Sequence, residues 1–152
     1  MPDRLQQARL RTVRDHMALE CEQDWDGVIG TFAHPRYEMH ASGAVFDGER
    51  QVRQYFDSSR VPFPDLTNEI ISIAADGDTV LVEFWLKGTH LGPLKLGDRV
   101  YEPTGRAMRV RMAATFEFAP GSDRIVCERP YSSNDAKLRA LGLQAHASAK
   151  AA

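Results

Sequence analysis

Apolar residues recur at helical spacing in the first part of the chain and at alternate positions in the second, and this change of period predicts most of the architecture. Leu10, Val13, Met17 and Cys21 fall on one side of a 3.6-residue repeat. Asp3 to Gln23 is therefore expected as an amphipathic helix, with Asp3 as N-cap and a charged, solvated opposite face. Trp25, Val28, Ile29 and Phe32 place a second, shorter helix between Asp24 and Phe32. His34-Pro35 interrupts the pattern, "YEMHA" from Tyr37 to Ala41 reads as a brief strand, and Asp47 is placed to cap a third helix with Val52, Tyr55 and Phe56 buried. The prolines of "VPFPDL" end that helix, because proline lacks a backbone donor and biases its predecessor towards extended structure.

From Thr67 onward the pattern alternates, with strands expected at Thr67–Ala75, Thr79–His90, Arg106–Ala119 and Arg124–Arg129. "ADGD" and "APGSD" supply the Asp and Gly that tight hairpins need. Helices first and an antiparallel sheet afterwards define an α+β order. In "VLVEFWLKGTH" the set Val80, Val82, Phe84, Leu86, Gly88 and His90 faces one way, and Leu81, Glu83, Trp85, Lys87 and Thr89 the other. In "RVRMAATFEF" the face of Val110, Met112, Ala114, Phe116 and Phe118 is apolar, whereas Arg109, Arg111, Thr115 and Glu117 make the opposite face mixed. Such a sheet packs helices on one face and offers the other to a partner or a cavity.

The 152 residues suit one domain, assigned to residues 1–143, with 144–152 as a flexible C-terminal tail of small and polar residues. A formal charge of -2 provides no global field for nucleic acid or an acidic membrane. Cys21 and Cys127 stand apart without CxxC or Cys/His spacing, which disfavours a disulfide framework and a zinc site. The start of the chain has no apolar core of signal-peptide length, and no apolar run reaches bilayer-spanning length. The expectation is a soluble, cytoplasmic protein.

The order of these elements, with "FPDL" at Phe63–Leu66, "GTHLGPL" at Gly88–Leu94, "PTGR" at Pro103–Arg106, "FEF" at Phe116–Phe118 and the closing "ERPY" and "LRALGL", resembles the SnoaL-like polyketide cyclases. The resemblance extends to the wider nuclear-transport-factor-two-like superfamily, with its limonene-epoxide-hydrolase-like and ketosteroid-isomerase-like members, and covers the chain from Arg11 to Leu143. It implies a cone-shaped, barrel-like domain: a strongly curved antiparallel sheet with N-terminal helices enclosing an internal pocket. It also implies a homodimer through the outer face of the sheet, no metal and no organic cofactor. Enzymes of this kind perform acid–base chemistry, which needs a carboxylate or histidine with a pKa moved by a partly apolar cavity.

Relatives of the cyclase and epoxide-hydrolase type carry an aspartate just after the last strand, in a pattern like Arg-x-Tyr-x-Asp, and counting forward from "ERPY" puts that position at Ser133. Asp135 lies two residues further on and either replaces the missing acid or forms a capping box with Ser132. Glu128 is the next carboxylate back, either a cavity acid raised by burial or a cross-strand partner of Arg109, Arg111 or Arg129. His90 and His40 are candidate proton carriers, and structural roles suit both equally. Trp85, Tyr131, Phe84 and Phe116 are candidates for an aromatic lining, Arg111 for binding an anionic group, and Ser133 for a ligand contact. The expected function is a cofactor-independent acid–base enzyme acting on a hydrophobic polyketide-like or terpenoid molecule by cyclisation, isomerisation or epoxide opening. The alternative is a non-catalytic binding or dimer-scaffolding member of the same fold, favoured by the serine at position 133.

Overall fold

The computed structural model describes residues 3–144 and is α+β. The tail expected from 144 onward lies, apart from Gln144, outside the described residues. Helix α1 (Arg4–Glu22) begins where Asp3 accepts a hydrogen bond from Gln6 N at 2.8 Å. Its buried seam is Arg9, Val13, His16 and Met17, so the polar residues expected in solvent are partly inside, and Leu10 and Cys21 lie at the seam's edge. Helix α2 (Trp25–Gly30) is capped by Asp24. Strand β1 (Arg36–Glu38) is shorter than "YEMHA", and β2 (Val45–Asp47), unforeseen in the pattern, pairs with it. Helix α3 (Glu49–Ser59) starts from Gly48 without a side-chain cap. Asp47 is thus not its cap, because its carboxylate is engaged by His34 at 2.7 Å and Arg36 at 3.3 Å.

The long strands follow as β3 (Thr67–Asp76), β4 (Thr79–Thr89), β7 (Ala107–Phe118) and β8 (Ile125–Tyr131). Between β4 and β7 the chain forms a small hairpin of β5 (Leu94–Leu96) and β6 (Arg99–Tyr101). Gly97 supplies the positive φ of 61° that its two-residue turn needs. Helix α4 (Asn134–Ala140) closes the chain. The main sheet has six strands in the order β2-β1-β8-β7-β4-β3, antiparallel throughout except where β1 runs parallel to β8. It is curved without closing into a barrel, and α1 to α3 cover one face.

Alternation settles which residues face inward. On β4, Val80, Val82 and Phe84 are buried, and on β7 Val110, Ala114, Phe116 and Phe118 are buried with them. The helices contribute Val13, Met17, Val28, Val52 and Phe56 to this core. Phe63, Leu66, Leu94, Met108, Val110 and Leu141 form a second cluster under the small hairpin and α4. Between the two clusters the concave side of the sheet is left unfilled.

Arg9 fixes α1 against the far turns of the sheet. It donates to Ser122 O (2.8 Å), Gly77 O (2.8 Å) and Ala119 O (3.0 Å), and pairs with Asp78 at 2.8 Å. A buried guanidinium is tolerated because its donors meet fixed acceptors, three of them turn carbonyls. This clamp sets the rotation of α1, and that rotation carries His16 and Glu20 inward.

Candidate functional site

His16 and Glu20 are one turn apart on α1 and lean towards the sheet. Tyr37 on β1 and Glu128 on β8 are direct partners across the parallel pair, so their side chains rise from the same face. Four groups from three elements converge. His16 Nε2 lies 3.1 Å from Glu128 Oε2, 3.4 Å from Glu20 Oε1 and 3.2 Å from the Tyr37 hydroxyl, which donates to Glu20 Oε1 at 3.1 Å. Phe32 and Phe116 meet the imidazole edge-on at 5.3 Å each and exclude water from its sides.

Hydrogen-bond counting fixes the protonation of His16. Thr31 Oγ1 donates to Val28 O at 2.6 Å, so its proton is committed and it must accept from His16 Nδ1 at 2.8 Å. Nε2 then faces two carboxylates and must also carry hydrogen. The ring is an imidazolium. Burial opposes that charge, but Glu20 and the hydrogen bonds to Glu128 and Glu20 overcome it and raise the pKa to about 10. Glu20, despite its own burial, is held below the usual carboxylate range by His16 and Arg60. Glu128 is pushed above that range, first by burial and then by the negative charge of Glu20. The Tyr37 hydroxyl is raised well above its ordinary value by burial and both carboxylates. Two chemically identical side chains are thereby driven apart, the arrangement that separates a proton donor from a charged stabiliser.

A raised histidine pKa makes stability depend on pH with a definite sign. The folded state holds a proton that the unfolded chain releases near pH 6.5, so the stabilisation is complete below that value and is lost as pH rises through about 10. The melting temperature is expected to fall between pH 7 and 10 by more in the native protein than in His16→Gln, read by thermal denaturation across that range. Equal slopes would refute the buried imidazolium.

Glu20 and Glu128 open onto a cavity of about 750 Å³. Phe84, Leu86, Met108 and Met112 of the sheet form its floor, Tyr55 and Phe46 one wall and the β5-β6 hairpin another. The lining is mainly apolar with a few convergent polar groups, as small-molecule sites are built. The His16, Glu20 and Glu128 donor atoms lie within 4.8 Å of one another, a spacing that also suits a divalent ion. An ion there would have to displace the Nε2 proton and break the bonds just described.

Of the residues expected from the sequence to act, only Glu128 stands at this centre. His90 is buried outside the lining, tilted against Phe63 with ring centroids 5.6 Å apart and accepting from Thr104 N at Nδ1. His40 sits beside Tyr131 with ring centroids 5.1 Å apart, and both line a separate surface depression with Arg129 and Glu38. Trp85 points to the outer face because its alternation partners Phe84 and Leu86 point in, and it lies against the guanidinium groups of Arg109 and Arg111. Arg111 also approaches Glu83 at 3.5 Å, so neither Trp85 nor Arg111 reaches the cavity. Phe116 is wholly buried beneath His16 and supports the site without lining it. Ser133, rather than Ser132, caps α4 by accepting from Ala136 N at 3.2 Å, and Asp135 is exposed in the first turn. Ser132 faces the cavity instead. The sequence reading missed His16, Glu20 and Tyr37. The available signal was His16-x-x-x-Glu20, an i,i+4 acid–base pair in register with Val13 and Met17.

A curved sheet with helices folded over an apolar cavity, and a buried His–Glu–Glu–Tyr cluster at its base, define a cone-type pocket domain. The chain belongs to the SnoaL-like domain family, whose model matches residues 13–127. Among solved structures, it is similar to a putative SnoaL-like polyketide cyclase from Jannaschia sp. CCS1, at 21% identity and a TM-score of 0.81 over 95% of this chain and 99% of that one. It is also similar to IdmH, a putative polyketide cyclase from Streptomyces antibioticus, at 22% identity and a TM-score of 0.72 over 89% and 99%. A protein of ketosteroid-isomerase-like fold from Catenulispora acidiphila, in complex with trimethylamine, matches at 20% identity and a TM-score of 0.70 over 88% and 93%. No curated protein matches the chain. Among the described residues, no helix is long and apolar enough to cross a membrane.

Proposed function

We propose that the protein is a cofactor-independent acid–base enzyme that cyclises, isomerises or opens a hydrophobic polyketide-like or terpenoid substrate, with Glu128 exchanging the proton. The observation that carries this reading is the pairing of Glu128, raised by burial and by Glu20, with an apolar cavity large enough for such a ligand. Near-neutral proton exchange needs a carboxyl group of this kind. His16 and Tyr37 position the two carboxylates, and Glu20 keeps a negative charge beside the reacting one. The test uses a neutral, enolisable bicyclic ketone, β-tetralone, in heavy water. The protein is expected to accelerate deuterium uptake at the ketone's α-carbon above the buffer rate, followed by proton NMR.

Ser133 supports the binding-only alternative, since the position where relatives hold an acid serves here as a helix cap. Ketone binding without any accelerated exchange would favour that alternative. The same reading includes a homodimer through the outer sheet face, supported by the exposed Leu81 on the same face of β4 as Trp85 and its two arginines. Sedimentation is expected to give a dimer that Leu81→Glu dissociates, and a native monomer at micromolar concentration would remove it.

A further inference from the structure

Arg60 follows the last turn of α3 and lines the cavity beside Glu20. Its Nη1 donates to Ser59 Oγ at 2.8 Å, its Nη2 donates to Glu20 O at 3.2 Å, and its guanidinium lies 4.9 Å from the Trp25 ring centroid. These contacts orient the group, and no carboxylate of the described residues forms a direct ion pair with it. The Nε–H is buried and meets no acceptor among the described residues. Each Nη carries a second hydrogen, so two guanidinium donors remain beyond the bonds to Ser59 and Glu20 O.

Lys137 on α4 lines the same cavity, half-buried, and its ammonium group has no hydrogen-bond or ion-pair partner among the described residues. Burial holds its pKa below the ordinary lysine value, a sign that nothing nearby offsets its charge. The two acids of the lining form their direct bonds with His16 and Tyr37, and the Glu20 carboxylate meets the Arg60 charge only through space. Both charges therefore border a mainly apolar cavity.

We propose that Arg60, with Lys137 adding to the field across the cavity, forms an anion subsite that selects hydrophobic ligands carrying an oxyanion, either a carboxylate or an ionised enol. This inference deepens the reading of the cavity as a hydrophobic small-molecule site and rests on it. Naphthoate and naphthamide share size and apolar area and differ in charge, so calorimetric titration of both near neutral pH separates the two claims. Naphthoate is expected to bind at least about tenfold more tightly than naphthamide. Arg60→Gln is expected to erase most of that preference while leaving naphthamide affinity unchanged, and Lys137→Gln to reduce it less. Equal or tighter binding of naphthamide, or a naphthoate preference that survives in Arg60→Gln, overturns the anion subsite and leaves the hydrophobic site standing. Binding of neither compound overturns both. The comparison on the native protein stands even if Arg60→Gln fails to fold.

Discussion

Glu128→Gln is expected to slow the deuterium uptake of β-tetralone by about two to four orders of magnitude, the range that a positioned general acid or base contributes. Glutamine keeps the shape and can still accept from His16 through its carbonyl oxygen, so the apolar walls and the affinity for the ketone should change little. A loss confined to exchange identifies Glu128 as a proton-transfer group. Affinity lost in parallel would make it a binding residue, and unchanged exchange would remove it from the chemistry. Glu20→Gln is the informative companion. Removing the Glu20 charge lowers the pKa of Glu128, because that charge is the second cause of its elevation. The acidic limb of the pH–rate profile should therefore move to lower pH even where the maximal rate survives.

His16→Gln is expected to be the most destabilising single change in the site, by about 3–5 kcal/mol, read as a shift in the urea unfolding midpoint. It removes the one cation lodged between two buried carboxylates and leaves their charges facing each other. The size of the loss reflects the abandoned charges as much as the lost ion pair. The double variant His16→Gln, Glu20→Gln should accordingly recover part of it. A double variant as unstable as the sum of the two singles would show that His16 acts by packing against Phe32 and Phe116 alone.

Much of this fold was legible in the alternation of apolar positions, and the failures have identifiable causes. The long strands and first two helices follow from periodicity because each presents a recurring set of apolar residues to the core. The seam of α1 was misjudged by a fraction of a turn. It buries Arg9 and His16, which read as solvent-facing until their partners 112 and 113 residues away are known. The β5-β6 hairpin escaped because three-residue strands are too short to display a period. The position expected to hold an acid was legible as Ser133, yet beyond the His16-x-x-x-Glu20 spacing on α1 no local pattern shows that β1 and β8 complete the acid–base cluster. Trp85 was misassigned for a plainer reason. A large aromatic suggests a pocket, but strand alternation had already placed Phe84 and Leu86 on the inner side and so sent Trp85 outward.

The bond between His16 and Glu128 joins a helix at the start of the chain to its last strand. During synthesis α1 leaves the ribosome long before β8 exists, and until then His16 and Glu20 have Thr31, Tyr37 and Arg60 as partners but not the second carboxylate. The acid–base centre is therefore among the last features the growing chain can assemble. A chain that ends just before Glu128 carries His16, Glu20 and Tyr37 but lacks the carboxyl group assigned the proton transfer.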